Sequence, residues 1–253
     1  MNKRSTKVVY LLGDSITQGL GSKKVNFSGE LQRLLGDSYD VVNLAYTGTM
    51  VDYALKLVED GKVAPLNGES SVVVILYGNV DAQIRPNRGG RVFPHIPKRY
   101  QGSGMLMPRP FYSASVVKKA GQHFDNFQRS VYSRIIKLVD GVEQWNPLNS
   151  FSVQYSMLLN KLTEIGTTPI CCSCVFIDEK LFPGSPVQYA RYSHAIAELA
   201  GEHGLNYIDM CSVLKSEVEA YGWDSCYNKD HFHPNGAGYK IMAEMLFDAI
   251  SRQ

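Results

Sequence analysis

Short apolar runs alternate with segments of helical periodicity along the whole chain. Runs rich in β-branched and aromatic residues, each bounded by turn-forming residues, predict strands. Apolar residues spaced three and four apart predict helices. The predicted strands are 8–12, 39–45, 71–77, 169–177 and 205–209, and the predicted helices are 27–35, 50–58, 125–139, 150–165, 187–203, 212–221 and 237–251.

This alternation predicts an α/β fold. Parallel strands joined by right-handed helical crossovers give a three-layer α/β/α arrangement, here with a five-stranded parallel sheet and a single domain spanning 1–253. The unbroken apolar run 71–77 is typical of a strand covered on both faces. Because sites in such sheets lie beyond the carboxyl ends of the strands, we expect Ser15, Gly48, Asn79, Asp230 and His233 to lie close together.

One long segment, at about 84–112, does not follow the alternation. Its composition favours a functional loop or lid over a plain linker. Its cations and interleaved aromatic rings could bind an anionic or sugar-containing substrate, although a solvated loop has the same composition. It contains Pro86, Pro94, Pro97, Pro108 and Pro110, the cations Arg85, Arg88, Arg91, Lys98, Arg99 and Arg109, and Phe93, His95, Tyr100, Phe111 and Tyr112.

The first candidate for chemistry is Ser15, in the Gly13-Asp14-Ser15 turn after the first strand. Such a turn places a hydroxyl beside free backbone N–H groups, but a serine in such a turn is often only a helix N-cap, which this stretch alone favours. A serine nucleophile needs a base, and the base needs an orienting group. Asp230 and His233, three residues apart near the other end of the chain, supply both. His231 is a competing base, but it adjoins Asp230 directly, which is a poor geometry for orienting its ring.

These two blocks resemble the SGNH (GDSL-type) hydrolases. The resemblance rests on Gly13-Asp14-Ser15 and on Asp230-x-x-His233, and the turn Pro234-Asn235-Gly236 also matches. It implies the flavodoxin-like SGNH hydrolase fold, with Ser15 as nucleophile, His233 as base and Asp230 as the group that orients it. It further implies an oxyanion hole made by the N–H groups of Ser15 and Gly48 and by an asparagine side chain after the third strand.

The third oxyanion donor departs from the family pattern. The family block reads Gly-x-Asn-Asp, whereas this chain has Gly78-Asn79-Val80-Asp81, so that Val80 stands at the asparagine position. Asn79 could reach the hole from a shifted turn, the hole could have backbone donors only, or another residue could substitute. Asp14, Asp81 and Arg85 are further candidates for substrate binding, although Asp81 and Arg85 could also form a surface ion pair.

Composition and overall charge give no argument for several classes of partner. A formal net charge of +2 does not argue for nucleic acid or an anionic membrane surface as a partner, and no run is long enough to span a membrane. The apolar run after the basic N-terminus is too short for an export signal. Five cysteines, three of them at Cys171, Cys172 and Cys174, predict reduced core thiols and a cytoplasmic location. We predict no metal and no cofactor.

Together these features predict a serine esterase that hydrolyses a small acyl ester through an acyl-enzyme. An O-acetyl group on a carbohydrate is the expected substrate. An O-acyltransferase would use the same acyl-enzyme, with a sugar hydroxyl replacing water. A non-catalytic carbohydrate-binding relative is the third interpretation, favoured only by Val80.

Overall fold

The computed structural model describes residues 7–22, 25–65, 71–101 and 113–252. The chain forms two compact units, one of Met1–Ala82 with Asn146–Gln253 and the other of Gln83–Trp145. The helices and strands, in chain order, are β1 (Lys7–Gly13), α1 (Phe27–Leu35), β2 (Tyr39–Asn43), α2 (Val51–Glu59), β3 (Val72–Leu76), β4 (Arg85–Pro86), α3 (Lys98–Gln101), α4 (Val116–Val139), β5 (Val142–Glu143), α5 (Leu148–Glu164), β6 (Thr168–Cys172), α6 (Ser185–Glu202), β7 (Asn206–Ile208), α7 (Met210–Tyr221) and α8 (Gly236–Ser251).

The first unit is built on the predicted five-stranded parallel sheet, in the order β2-β1-β3-β6-β7. Val9 lies in register with Val41 on one side and Val72 on the other. Helix α1 packs against α8, and α5 packs against both α2 and α6. The strand order reverses between β1 and β3, which is the point where doubly wound sheets bind their ligands.

Burial explains why these runs form the centre of the sheet. Every residue of β3 is buried, and in β1 only Lys7 is exposed, as expected for strands covered by helices on both faces. Helix α8 also buries an apolar face, which includes Tyr239, Met242 and Leu246.

The fourth predicted strand, 169–177, is shorter in the structure, where β6 ends at Cys172. One more backbone bond to β7 follows, from the Ser173 N–H to the Ile208 carbonyl at 3.0 Å, and from Cys174 onward the backbone bonds to side chains. The N–H of Cys174 donates to Ser193 Oγ at 3.1 Å, and the N–H of Val175 donates to Asn79 Oδ1 at 2.9 Å. The apolar run therefore continues beyond the sheet because its residues stay buried, not because they stay in a strand.

The second unit begins one residue before the predicted insertion and continues to Trp145. Strands β4 and β5 form an antiparallel pair, which the sequence pattern did not predict. Residues 102–112 of the predicted insertion lie outside the described residues. A small apolar cluster of Ile96, Tyr100 and Ile136 forms the interior of the unit.

Helix α4 begins nine residues earlier than predicted, at Val116. The spacing of Phe127, Val131, Ile135 and Leu138 predicts that they share one face of this helix, and they do, but it is not a core face. Phe127 is 64% exposed and Leu138 is 86% exposed.

The three clustered cysteines are fully buried core residues, as predicted. Burial raises the pKa values of the Cys172 and Cys174 thiols well above the ordinary value. Among the described helices, none combines the length and the apolar character needed to cross a bilayer.

Candidate active site

Ser15 lies on a tight turn directly after β1. The turn is closed by a bond from the Gln18 N–H to the Asp14 carbonyl at 3.0 Å and by one from the Leu20 N–H to the Ser15 carbonyl at 2.9 Å. Gly13 is required here because a Cβ at this position would lie 2.1 Å from Thr17 Oγ1. The side chain that caps the next helix, α1, is Asn26, so Ser15 is not its N-cap.

The structure brings Ser15, His233 and Asp230 together. Ser15 Oγ lies 2.9 Å from His233 Nε2, although 218 positions separate the two residues in sequence. His233 Nδ1 lies 2.6 Å from Asp230 Oδ2. If Nδ1 carries the proton donated to the carboxylate, Nε2 is free to accept the proton of the Ser15 hydroxyl. Ser15 and His233 are each only 5% exposed, so these bonds lie in a largely desolvated environment.

The loop before α8 fixes the position of the imidazole. Asp230 Oδ1 accepts hydrogen bonds from the backbone N–H groups of Phe232 and His233, at 3.3 and 3.1 Å. Asn228 Nδ2 donates to the carbonyls of His233 and Pro234. Both ends of the Asp-x-x-His block are therefore held by hydrogen bonds within the loop.

The competing base, His231, has different partners. Its Nδ1 lies 2.6 Å from Asp178 Oδ2, and its ring stacks on Trp223 with centroids 4.5 Å apart. The two imidazoles of this loop thus each pair with a carboxylate at 2.6 Å, one with Asp178 from the segment after β6 and the other with Asp230, and it is His233 that contacts the Ser15 hydroxyl.

Gly48 lies in a loop that is bound to the Ser15 turn. The N–H of Tyr46 donates to the Gly13 carbonyl at 3.2 Å, and the N–H of Thr47 donates to Gln18 Oε1 at 3.1 Å. Gly48 has φ +76°, a conformation that glycine adopts without strain. In the described part of the chain, neither the Ser15 N–H nor the Gly48 N–H has a protein acceptor.

Asn79 follows β3 and is fully buried. Its Oδ1 accepts from the N–H of Val175 at 2.9 Å, which fixes the orientation of the amide, and its backbone carbonyl accepts from the Tyr189 hydroxyl at 2.6 Å. Among the described residues, Asn79 Nδ2 has no hydrogen-bond acceptor. The Asn79 amide nevertheless lowers the pKa of Asp14, so Nδ2 lies on the Asp14 side of the turn.

Asp14 is fully buried beside the nucleophile. Burial raises its pKa to about 6, while the hydrogen bond from the Ile16 N–H at 2.9 Å and the nearby His233 both act to lower it. This carboxylate therefore changes its charge near neutral pH, next to the Ser15 hydroxyl.

Asp81 is also fully buried. Its Oδ1 accepts from Asn146 Nδ2 at 2.7 Å and from the Val51 N–H at 3.3 Å, and its Oδ2 accepts from the Gly78 N–H at 3.2 Å. Burial raises its pKa to about 6, against these hydrogen bonds. The carboxylate connects the turn after β3 to the first turn of α2, and it is not part of a surface ion pair.

Arg85, in the second unit, is buried as well. Its guanidinium lies 3.4 Å from the centroid of the Trp145 ring, and the Arg88 guanidinium lies 4.3 Å from the same ring. Arg85 Nη2 also donates to Gln83 Oε1 at 3.2 Å. These contacts stack two cations on one indole within this unit.

Sequence reasoning missed four residues that support this region: Asn146, Asp178, Tyr189 and Asn228. Asn146, Asp178 and Tyr189 act through hydrogen bonds to residues far away in sequence, and Asn228 acts through bonds to carbonyls of its own loop. Asn146 is the one with a local signal, because it precedes Pro147 at the start of a predicted helix, where a polar side chain often closes a turn.

The fold is that of a parallel α/β protein in which a serine on the turn after the first strand contacts a histidine–aspartate pair from the loop before the last helix. Residues 11–241 match the GDSL-like Lipase/Acylhydrolase family. The chain therefore belongs to that family, and it is an enzyme of the carboxylic ester hydrolase class.

Solved structures support the same fold at low identity. A member of the lipolytic protein G-D-S-L family from Veillonella parvula has a TM-score of 0.64 and 14% identity, with 98% of this chain and 100% of that chain covered. The acetyl xylan esterase AlAXEase has a TM-score of 0.62 and 16% identity, covering 96% and 99%. A catalytic mutant of the acetylxylan esterase Axe2 from Geobacillus stearothermophilus has a TM-score of 0.60 and 14% identity, covering 99% and 96%. No curated protein matches the chain.

Proposed function

We propose that the chain is a serine esterase in which Ser15 is the nucleophile, His233 the general base and Asp230 the group that orients the imidazole. The observation that carries the proposal is the continuous pair of contacts from Ser15 Oγ to His233 Nε2 at 2.9 Å and from His233 Nδ1 to Asp230 Oδ2 at 2.6 Å. A serine hydroxyl is a weak nucleophile, and this arrangement is what activates it.

The reaction proceeds in two acyl-transfer steps. Ser15 Oγ attacks the ester carbonyl carbon as its proton passes to His233 Nε2. The tetrahedral intermediate collapses, the carbon–oxygen bond to the alcohol breaks, and the leaving alcohol takes the proton from His233. Water then attacks the carbonyl carbon of the acyl-enzyme as His233 accepts a proton from it. Collapse of this second tetrahedral intermediate breaks the bond to Ser15 Oγ, which takes the proton back from His233, and releases the carboxylic acid.

The oxyanion of each intermediate needs donors that are already in place. The Ser15 N–H and the Gly48 N–H have no protein acceptor in the described residues, which supports their assignment as two of these donors. Asn79 is the third donor in this proposal. The support for it is that the Val175 N–H occupies Oδ1 and fixes the amide, which makes Nδ2 the buried donor end, beside the Asp14 carboxyl and the Ser15 turn.

The proposed substrate is a small acyl ester, with O-acetyl groups on carbohydrate as the first class to test. Two of the structural neighbours described above are acetylxylan esterases, and this chain shares their fold over nearly its full length. A glycan O-acyltransferase would form the same acyl-enzyme, so the products must be measured and not only the consumption of ester.

The test has two parts. Incubation with a fluorophosphonate, followed by intact-mass measurement, is expected to add one label to the wild-type chain and none to Ser15→Ala. Acetylated xylo-oligosaccharides are then expected to release free acetate. Labelling that persists in Ser15→Ala would exclude Ser15 as nucleophile. Transfer of acetyl to an added sugar acceptor, in place of acetate release, would assign the transferase reaction.

A further inference from the structure

Helix α4, the longest helix of the described residues at 24 residues, is amphipathic with its apolar side outward. At 100° per residue six of its large exposed apolar side chains fall within an arc of about 100° on one side of the helix, and a seventh, Val139, lies about 40° beyond that arc. The buried residues Asn126, Arg129 and Ile136 lie on the opposite side. The exposed apolar stripe consists of Val116, Val117, Phe124, Phe127, Ile135 and Leu138.

The exposure of this stripe is substantial. Val116 and Val117 are each 82% exposed, Phe124 is 61% exposed and Leu138 is 86% exposed. Single exposed apolar residues are common on protein surfaces, but a continuous stripe of this length marks an interaction surface.

Polar contacts fix which side of α4 faces inward. Arg129 Nε pairs with Asp125 Oδ2 at 2.7 Å, and the Tyr100 hydroxyl lies within hydrogen-bond distance of two acceptors, Asp125 Oδ1 at 3.0 Å and Gln128 Oε1 at 2.7 Å. Turning the stripe inward would break these contacts. The outward position of the apolar residues is therefore a consequence of how the helix is attached.

The charge of α4 is strongly positive. It has five cationic side chains and a single carboxylate, Asp125, which already pairs with Arg129. Its net charge of +4 exceeds the +2 of the whole chain, so the total charge conceals a local basic surface. Lys119, Arg134 and Lys137 lie along one flank of the stripe, because they fall on the same side of the helical wheel.

The charge distribution argues against a second copy of the chain as the occupant. Antiparallel pairing of two such helices sets the basic flank of one against the basic flank of the other, which is repulsive. Parallel pairing leaves the cations without a carboxylate, since the one carboxylate of α4 faces inward. Neither arrangement neutralises the flank.

An anionic bilayer surface fits both properties of the helix. A basic helix with large apolar residues on one side lies flat at the membrane interface, with its apolar side in the acyl boundary and its cations among lipid phosphates. At 24 residues, α4 is about 36 Å long and presents its stripe along most of that length. We propose that α4 binds the surface of anionic lipid bilayers in this orientation.

The test is flotation of the full chain with vesicles of phosphatidylcholine mixed with phosphatidylglycerol, compared with vesicles of phosphatidylcholine alone. We expect binding to the mixed vesicles, weakened by added salt because phosphate contacts are screened. Replacing both exposed phenylalanines, in Phe124→Ser/Phe127→Ser, is expected to reduce the bound fraction about tenfold or more. Charge reversal in Lys119→Glu/Arg134→Glu is expected to abolish the preference for the anionic vesicles.

The matched control is Val153→Ser/Val187→Ser, which removes two apolar side chains of similar exposure, 60% and 62%, from α5 and α6. It is expected to bind as the wild type does, and circular dichroism of every variant checks that the helices are retained. Failure of the wild type to float with anionic vesicles, or equal binding by Phe124→Ser/Phe127→Ser, would overturn the proposal. A wild-type dimer in light scattering that becomes a monomer in Phe124→Ser/Phe127→Ser would overturn it too and assign the stripe to a second copy.

Discussion

Replacing Asp230 with asparagine tests the proposed role of the carboxylate most directly. The introduced asparagine could keep its Oδ1 on the backbone N–H groups of Phe232 and His233, so the loop would retain its anchors. The atom now 2.6 Å from His233 Nδ1 would become an amide nitrogen, which donates and cannot accept. His233 would then carry its proton on Nε2 and direct it at the Ser15 hydroxyl, which leaves the serine without a base.

The expected loss follows from this reversal of the tautomer. In serine hydrolases with a Ser-His-Asp triad, the corresponding change lowers kcat about 10⁴-fold. A factor of that size is about 5 kcal/mol of transition-state stabilisation. The free energy of unfolding should change far less, because the shape of the side chain and its backbone contacts are kept.

Two assays measure the effect: the second-order rate of fluorophosphonate labelling at Ser15, and the hydrolysis of p-nitrophenyl acetate. The chain offers a matched control in Asp178→Asn. Asp178 and His231 form a pair of the same length, 2.6 Å, but His231 does not contact the serine. The control is expected to retain most of the wild-type rate.

A rate for Asp230→Asn within tenfold of the wild type would refute the assignment of Asp230. An equal loss in Asp178→Asn would show that the effect is a general disturbance of the loop. Denaturant unfolding of both variants separates these results from simple instability.

Three further predictions follow from the buried groups around the site. Because the pKa of Asp14 is raised to about 6, the folded state binds more protons than the unfolded state between about pH 4 and 6, and the contribution of Asp14 to the unfolding free energy falls as pH rises through that range. At pH 7 the Asp14→Asn variant, which cannot ionise, should therefore have an unfolding free energy higher than that of the wild type by up to about 3 kcal/mol, measured by denaturant unfolding. Asn79→Ala should lower kcat by about 10²–10³-fold if Nδ2 is an oxyanion donor, measured with p-nitrophenyl acetate. Gly13→Ala should destabilise the chain by about 2 kcal/mol in denaturant unfolding, because its Cβ would lie 2.1 Å from Thr17 Oγ1, whereas Gly201→Ala, with open space around its Cβ, should not.

Each of these predictions has a clear contrary result. A pH dependence of stability that is the same in Asp14→Asn as in the wild type would show that this carboxyl does not titrate in that range. Full activity in Asn79→Ala would leave the hole to backbone donors. Equal stability of the Gly13→Ala and Gly201→Ala variants would mean that the turn can move to accommodate a side chain.

The sheet could be predicted because the residues that indicate each strand lie within that strand or directly beside it in the sequence. An unbroken apolar run such as β3 reports burial on both faces, and turn residues report where a strand ends. The predicted end of the fourth strand was wrong because burial continues past the last bond to β7, at Cys174 and Val175, whose N–H groups donate to side chains. The short pair of β4 and β5 was not predicted because a strand of two residues is too short to show an alternation of apolar and polar positions.

The motifs at Ser15 and at Asp230–His233 were readable because each is a short local block with a chemical purpose. The position of the Asn79 side chain could not be predicted from the sequence. A shift of one residue within Gly78-Asn79-Val80-Asp81 changes which side chain faces the turn. The structure decides it through a distant partner, the N–H of Val175. Asp81 likewise became a buried connector through Asn146, 65 positions away.

By itself the amino-acid sequence determined the alternating elements, the family, and the residues that bear the proposed chemistry, because periodicity and short motifs depend on neighbours along the chain. Only the tertiary structure decided which imidazole meets the serine and which side of α4 faces outward. Periodicity states which residues share a face of a helix, but the packing of distant segments determines what lies opposite that face. The hydrogen bond between Tyr100 of α3 and Asp125 of α4 holds the polar side of α4 inward, and the apolar side of α4 therefore lies at the surface.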